Sequence, residues 1–275
     1  MTDSQFYVVP TPIGNLKDIT LRALDVLNKV DEILAEDTRK ALSLLNHYNI
    51  NKKITSYHRD NEKKHIDAVL KKLQNGVKIA LISEAGTPCI SDPGYFLVNE
   101  LIKNNIKFEV LPGATAFVPA LILSGFPSNH FFFYGFLPHK KEQKRKELEK
   151  LTIYKTTIIF YESPHRIEET LNLLFDFFSP PFAVVREITK LYEETIFIND
   201  TQDVINLTKK GEFVVIVNNN EKDNNTLQNF DFHKICKNLF NENFNKKDIL
   251  KILKILGMNR NDAYKLIETF GNIKK

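Results

Sequence analysis

The chain has 275 residues, 43% of them apolar and 26% charged, with a net charge of +4; these proportions suit one large or two ordinary globular domains and exclude a disordered or fibrous chain. Cys89 and Cys236 show no paired spacing and the histidines form no metal-binding cluster, so neither a disulfide framework nor a metal site is expected. No apolar run reaches the ~20 residues that cross a bilayer, and Met1-Thr-Asp-Ser-Gln5 lacks the marks of a signal peptide, so a cytoplasmic protein without membrane contact is expected.

Strand and helix patterns alternate from the first residues. Phe6–Val9 reads as a short strand, broken by Pro10, Pro12 and Gly14, and Leu21, Leu24 and Leu27 then recur at near-helical period. Glu32–Ala35 is a second strand, ending in Glu36 and Asp37, with a helix through Leu42, Leu45 and Tyr48. Lys53–Tyr57 is a third, after which Ile66, Val69, Leu70 and Leu73 mark one helical face that Gly76 stops. A strand over 78–83 runs into a loop. A helix near 95–104, a strand near 107–111 and an apolar helix from Ala114 to Leu123 follow. Repeated βα units with short connections predict a mostly parallel sheet covered by helices.

A second unit begins after Gly125-Phe-Pro127. It holds the strand Phe131–Tyr134, a charged helix near 140–151 whose block Lys140–Lys146 reads as exposed, and the strand Thr156–Tyr161. Ile167, Thr170, Leu171 and Leu174 repeat the helical face, and strands at Phe182–Arg186, Thr195–Ile198 and Glu212–Val217 suit a mixed sheet. Asn218–Asn225 reads as a linker. Three short helical patterns over 230–240, 246–256 and 261–270, stopped at Gly257 and Gly271, form a small helical extension. The fold class is therefore α/β. Its expected parts are an α/β domain over 1–120, a second over 121–220 and a helical extension over 226–275.

The stretch Ala80–Phe96 carries the most chemistry. An apolar strand ends in a loop holding Gly86, Thr87, Pro88, Asp92, Pro93 and Gly94, rigid and free of bulky side chains, which is where an open α/β sheet places a ligand. The loop has neither the Lys of a phosphate-cradling P-loop nor G-x-G-x-x-G spacing, so the ligand is not held mainly by phosphates. Four more segments put small or polar residues at strand ends: Pro10–Asn15, Glu36–Arg39, Pro112–Ala116 and Tyr161–Arg166. Each alone has an ordinary structural use, such as helix capping by Asp37 or Thr38. Together, at one edge of a sheet, they point to a site.

Pro10-Thr-Pro-Ile-Gly-Asn-Leu16, Glu36-Asp-Thr-Arg39, Ser83–Pro88 with Ser91-Asp-Pro-Gly94, and Phe160–Arg166 resemble the tetrapyrrole methylase superfamily. Within it they are similar to the branch that methylates the ribose of a cytidine in 16S ribosomal RNA, and Arg186–Lys190 and Lys210-Gly-Glu212 continue the match. The resemblance implies two tandem α/β domains, the first with a mostly parallel and the second with a mixed sheet. It further implies S-adenosylmethionine (SAM) in the cleft between them, a homodimer, and the small ribosomal subunit as substrate near its decoding site. Where the wider superfamily carries a Gly-Asp-Pro loop, this chain has Gly86-Thr87-Pro88. Carried over by motif, the cofactor residues are Pro12, Gly14, Gly86, Thr87, Pro88, Ile90, Gly113, Thr115, Ala116, Tyr161, Glu187 and Gly211.

Methyl transfer to a ribose 2′-hydroxyl needs in-line placement, exclusion of water and a group to take the proton. Glu36, Asp37, Glu84, Glu162 and His165 are candidates by position, and the pair Glu36 and Asp37 is preferred. Pairing of these two with Arg39 or Arg22 is the structural alternative. For RNA, Arg39, His58, Arg59, His165, Arg166, Arg186 and Lys190 lie at the expected cleft edges, and Tyr57 and Tyr161 could stack on a splayed base. Two rivals share the scaffold: a methylase of a corrinoid or other tetrapyrrole, and a ribosome-assembly factor that binds SAM or RNA without turnover.

Overall fold

The computed structural model describes residues 4–220, 232–242, 244–256 and 258–271; most of the expected linker, from 221 onward, and Gly257 lie outside these. The chain divides into two compact units, Met1–Asn220 and Glu221–Lys275.

The first unit holds two five-stranded sheets. In the first, β1 (Phe6–Val9), β2 (Glu32–Ala35), β3 (Lys53–Ser56), β4 (Ile79–Ile82) and β5 (Phe108–Val110) lie in the order β3-β2-β4-β1-β5, with every pair parallel. The unbroken apolar runs of β1 and β4 follow from burial on both faces. Phe6, Val8, Ile79 and Leu81 meet α3 (Glu62–Gln74) and α4 (Tyr95–Lys103) on one side. Val9, Ala80 and Ile82 meet α1 (Leu21–Lys29) and α2 (Thr38–His47) on the other. The Thr20 hydroxyl caps α1 by accepting from the Ala23 N–H at 3.0 Å.

The helices sit where periodicity puts them, but some faces are rotated. Leu21 is 82% exposed, and Ala23, Val26 and Leu27 carry the buried stripe of α1. Leu42 is likewise exposed, and Ala41 and Leu45 point inward. Small alanines complete these stripes, and a scan for leucines alone misplaces the phase. The apolar helix α5 begins at Phe117 rather than Ala114 and runs to Ser124. The Ala114 carbonyl accepts a hydrogen bond from the Thr87 hydroxyl at 3.0 Å, which ties residue 114 to the neighbouring loop.

The second sheet comprises β6 (Phe131–Phe136), β7 (Thr157–Glu162), β8 (Phe182–Arg186), β9 (Glu194–Ile198) and β10 (Phe213–Asn218) in the order β6-β7-β10-β8-β9. It is mixed: β6 and β7 are parallel, and the other pairs antiparallel. Its helices α6 (Lys141–Leu151), α7 (Ile167–Leu174) and the unforeseen α8 (Thr201–Asn206) contribute to the core of one face. The other face packs on α5, with Ile13, Ala116 and Tyr161 at its margin. The block 140–146 is not wholly exposed. Lys144 is fully buried, and its ammonium donates to Glu169 at 2.8 Å and to the Thr170 hydroxyl at 3.0 Å.

The second unit contains α9 (Phe232–Asn241), α10 (Lys246–Ile255) and α11 (Arg260–Gly271), which close on a core of Cys236, Ile249, Leu253, Ala263, Leu266 and Ile267. Asn245 caps α10 through its side-chain oxygen, which accepts from the Asp248 N–H at 2.9 Å.

Candidate functional site

Because the first sheet is parallel, its five strands deliver their carboxyl ends to one edge, and the loops there converge. The loops after β1 and β4 are stitched together. Thr11 and Gly86 exchange two backbone hydrogen bonds (2.9 and 3.0 Å), the Thr11 hydroxyl donates to the Ser83 carbonyl (3.2 Å), and the Ser83 hydroxyl donates to the Gly86 carbonyl (2.7 Å). Gly86 has φ +86°, and a Cβ there would lie 3.3 Å from Ile13; glycine meets both demands without strain. The outcome is a rigid floor built from short side chains and backbone.

Above this floor lies a cavity of 360 Å³, within the range of small-molecule sites. The first sheet's loops contribute Ile13, Glu84, Thr87, Ile90 and Asp92. Thr115 and Ala116 come from the start of α5, and Phe136, Tyr161, Ile188, Phe213 and Val214 from the second half. A second cavity of 450 Å³ shares Ile13, Glu84, Ala85 and Glu212 with the first and is lined further by Pro12, Gly14, Lys40, His47 and Lys190.

Of the residues expected at a cofactor, Gly86, Thr87, Ile90, Thr115, Ala116 and Tyr161 line the first cavity and Pro12 and Gly14 the second. Pro88, Gly113, Glu187 and Gly211 line neither. Glu187 serves the backbone instead. Its carboxylate accepts from the Lys190 ammonium and the Glu212 N–H, both at 2.9 Å, bracing the turn beside Gly211. These partners hold its carboxyl below the usual range, against the effect of burial. Tyr161 packs edge-on against Phe133 and Phe136, and burial pushes its pKa up to about 12.

One residue within the informative loop emerges only here as a charge of consequence. Asp92 lines the first cavity, and burial, with Glu36 and Glu84 near it, pushes its pKa up to about 7 against the opposing pull of Arg59. Glu36 is raised for the same two reasons, burial first and Glu84 second. Arg59 also donates to the Ser91 carbonyl at 2.6 Å, anchoring the loop that carries Asp92. Glu84 forms an ion pair with Lys40. Asp92 and Glu84 thus line this side of the first cavity, with Glu36 near them, whereas Glu36 and Asp37 themselves line neither cavity. Ile13, Ala116, Ile188 and Val214 give the first cavity an apolar wall. The combination suits a ligand with a flat apolar part and a positive charge.

The two preferred proton acceptors part company. Asp37 is the N-cap of α2, accepting from the Arg39 N–H at 2.8 Å, and the Arg39 guanidinium bonds both of its oxygens. Arg39 therefore holds its carboxyl well below the usual range. Glu162 is buried and receives the Ser163 N–H (2.8 Å), the Thr170 hydroxyl (2.6 Å) and the Arg166 guanidinium (3.2 Å). Arg166 itself also donates to the Leu137 carbonyl at 2.7 Å. Arg186 is similarly engaged, by Glu194 (2.6 Å) and the Lys210 carbonyl (3.0 Å). Lys190 bridges Glu187 and Glu212, His58 faces Asp60 at 3.9 Å, and Arg39, Arg59 and His165 stand exposed. Tyr57, read from the sequence as a stacking surface, is fully buried in the first sheet's core and offers no face to a base.

A fold of two such sheets with a ligand cleft at the carboxyl edge of the first defines a class, and the model of the tetrapyrrole (corrin/porphyrin) methylases matches residues 5–205. The chain belongs to that family. A ribosomal RNA small subunit methyltransferase I from Halalkalibacterium halodurans is 46% identical over 220 residues, which cover 78% of this chain and 75% of that protein, and the chain belongs to the same branch. Among solved structures, diphthine synthase superposes with a TM-score of 0.64 at 12% identity, covering 77% of this chain and 88% of that one. Uroporphyrin-III C-methyltransferase from Thermus thermophilus, solved with S-adenosylhomocysteine, superposes with a TM-score of 0.54 at 16% identity, covering 78% and 98%. At such identities these two structures show the shared fold.

Proposed function

We propose that this methyltransferase uses SAM to methylate the 2′-hydroxyl of a cytidine in 16S ribosomal RNA, close to the decoding site of the small subunit, and that it acts as a homodimer. The observation that carries the cofactor is the two-sided cavity. Its apolar wall at Ala116, Ile188 and Val214 suits an adenine, and the carboxyl groups of Asp92 and Glu84 favour a cation on the facing side. The 46% identity to a ribosomal RNA small subunit methyltransferase supports RNA as substrate.

When bound, SAM supplies an electrophilic methyl group whose leaving thioether is neutral. The protein's part is placement, exclusion of water and removal of one proton. Glu36 is the group we assign to take the 2′-hydroxyl proton: its raised pKa makes it a better base than an ordinary carboxylate. Asp37 holds the α2 terminus, and through it the loop that carries Glu36. Asp92 offers the cation its counter-charge. Glu162, Thr170, Lys144 and Arg166 form a buried polar chain that fixes the end of β7, where Tyr161 and Ser163 meet the cavity. Arg39, Arg59 and His165 are the exposed basic groups placed to meet RNA phosphate.

The test is direct. Purified protein is incubated with SAM and small subunits lacking the modification, and ribose methylation is mapped by mass spectrometry. The expected result is one methyl on a cytidine ribose. Methyl transfer to a tetrapyrrole with none to RNA refutes the reading, and binding of both ligands without transfer replaces it with an assembly factor.

A further inference from the structure

Asp92 and Glu84 line the loop side of the cavity, and a phosphate placed inside against them is disfavoured. The parts of a nucleotide that can enter without electrostatic cost are the sugar and the base, so the target base needs an uncharged surface at the cavity. Neither Tyr57 nor Tyr161 supplies one. Tyr57 is inside the core, and Tyr161 is half-buried and packed against Phe133, whose ring centre lies 4.9 Å away at 69°.

Of the other aromatics lining the cavity, Phe213 is buried and Phe136 is exposed. It ends β6, lines the first cavity, and is 51% exposed, while its ring rests edge-on against Tyr161 with centres 5.5 Å apart and planes at 60°. A large aromatic left half-exposed at a ligand cavity, yet held by a second fixed ring, presents a π-face at low entropic cost.

The strand reaches this arrangement by an irregularity. In β6, Phe132 and Tyr134 pack on the core with α6 and α7, and Phe133 packs on the opposite face with Tyr161. Simple alternation would send Phe136 to the side of Phe132 and Tyr134. Instead the register against β7 shifts between Phe133 and Gly135, so that Gly135 pairs with Phe160 and Phe136 with Tyr161. Gly135 has φ +81°, and a Cβ there would come within 2.9 Å of the Ser91 hydroxyl in the loop that carries Asp92. A bulge of this kind re-aims a side chain. Here it turns Phe136 from the α6–α7 core to the cavity and lets β6 approach the loop that carries Ser91 and Asp92.

We propose that Phe136 is the platform on which the target nucleobase stacks, so that the bulge in β6 sets where the ribose meets the cavity. The inference rests on the RNA reading given above. Stacking accepts any base, because each has a π-face, and Phe136 therefore supplies grip and position rather than base identity.

Two variants of the full chain test it, Phe136→Leu, which keeps apolar bulk without a π-face, and Phe136→Trp, which enlarges that face. SAM affinity is measured by calorimetry, and kcat and KM are measured with unmodified small subunits at saturating SAM. Phe136→Leu is expected to keep SAM affinity within about twofold and to lose about 10- to 100-fold in kcat/KM, the loss typical of one base–aromatic stack. Phe136→Trp is expected to match or exceed the parent. The proposal is overturned if Phe136→Leu transfers methyl as well as the parent does. It is equally overturned if SAM affinity falls in step with activity, which would make Phe136 a cofactor contact. Failure of the RNA reading looks different: the unsubstituted protein then puts no methyl on any ribose, and the proposal falls with it.

Discussion

Asp92→Asn separates the charge of the cavity from its shape. The amide keeps the volume of the side chain and removes the proton. In the folded protein Asp92 titrates near 7 rather than at its ordinary 3.8, because burial and the carboxyl groups of Glu36 and Glu84 disfavour its anion. Between these two values the folded chain holds a proton that the unfolded chain has released, so this residue makes stability fall as pH rises from about 4 to 7. The whole shift would correspond to ~4 kcal/mol at 1.36 kcal/mol per unit, and partial access to solvent brings the expected effect nearer ~2 kcal/mol. Urea unfolding of parent and variant at pH 5 and pH 8 reads it. Carboxyl groups remote from Asp92 contribute alike to both proteins, and the advantage of Asp92→Asn should be larger at pH 8. Calorimetry at pH 8, where Asp92 carries its charge, should show SAM binding weakened about 10- to 100-fold, from the loss of one charge-assisted contact of roughly 1.5–3 kcal/mol. S-adenosylhomocysteine, whose sulfur is neutral, should lose less. An equal stability difference at the two pH values, or unchanged SAM affinity, would refute the reasoning.

Further outcomes follow from the same geometry. Glu36→Gln should lower turnover about 10²- to 10⁴-fold with SAM affinity kept, the usual contribution of a general base, whereas Asp37→Asn retains a capping side chain and should stay active; equal loss in both removes the distinction drawn between them. Glu162→Ala leaves the Arg166 charge without its buried partner and should cost about 3–5 kcal/mol in urea unfolding, and a cost under about 1 kcal/mol would show that the pair is not structural. Gly86→Ala must hold a left-handed backbone beside Ile13, so it should lose about 1–2 kcal/mol of stability and weaken SAM binding measurably by calorimetry.

Much of this protein was legible in its residue order. The βα alternation, the mixed second sheet and the strand-end motifs are local patterns, because apolar periodicity and glycine–proline turns act within a few residues. Thr87, Thr115 and Ala116 could be placed at a cavity for that reason, as ends of parallel strands must meet. What the order of residues could not show is how charges from separate loops add. Asp92 owes its proton affinity first to burial and then to Glu36 and Glu84, which reach it through the fold. Arg166 and Arg186 read as RNA contacts beside their motifs, and only tertiary structure commits them to Glu162 and Glu194. Lys144 looked like one more surface lysine until α7 closed over it with Glu169 and Thr170. The bulge that aims Phe136 depends on register against β7, a long-range pairing with no local signature beyond Gly135. Sequence by itself determined the elements, the family and the edge at which the cavities open. Burial and through-space electrostatics, which sum over residues distant in the chain, decided which side chains hold the fold and which line the cavities.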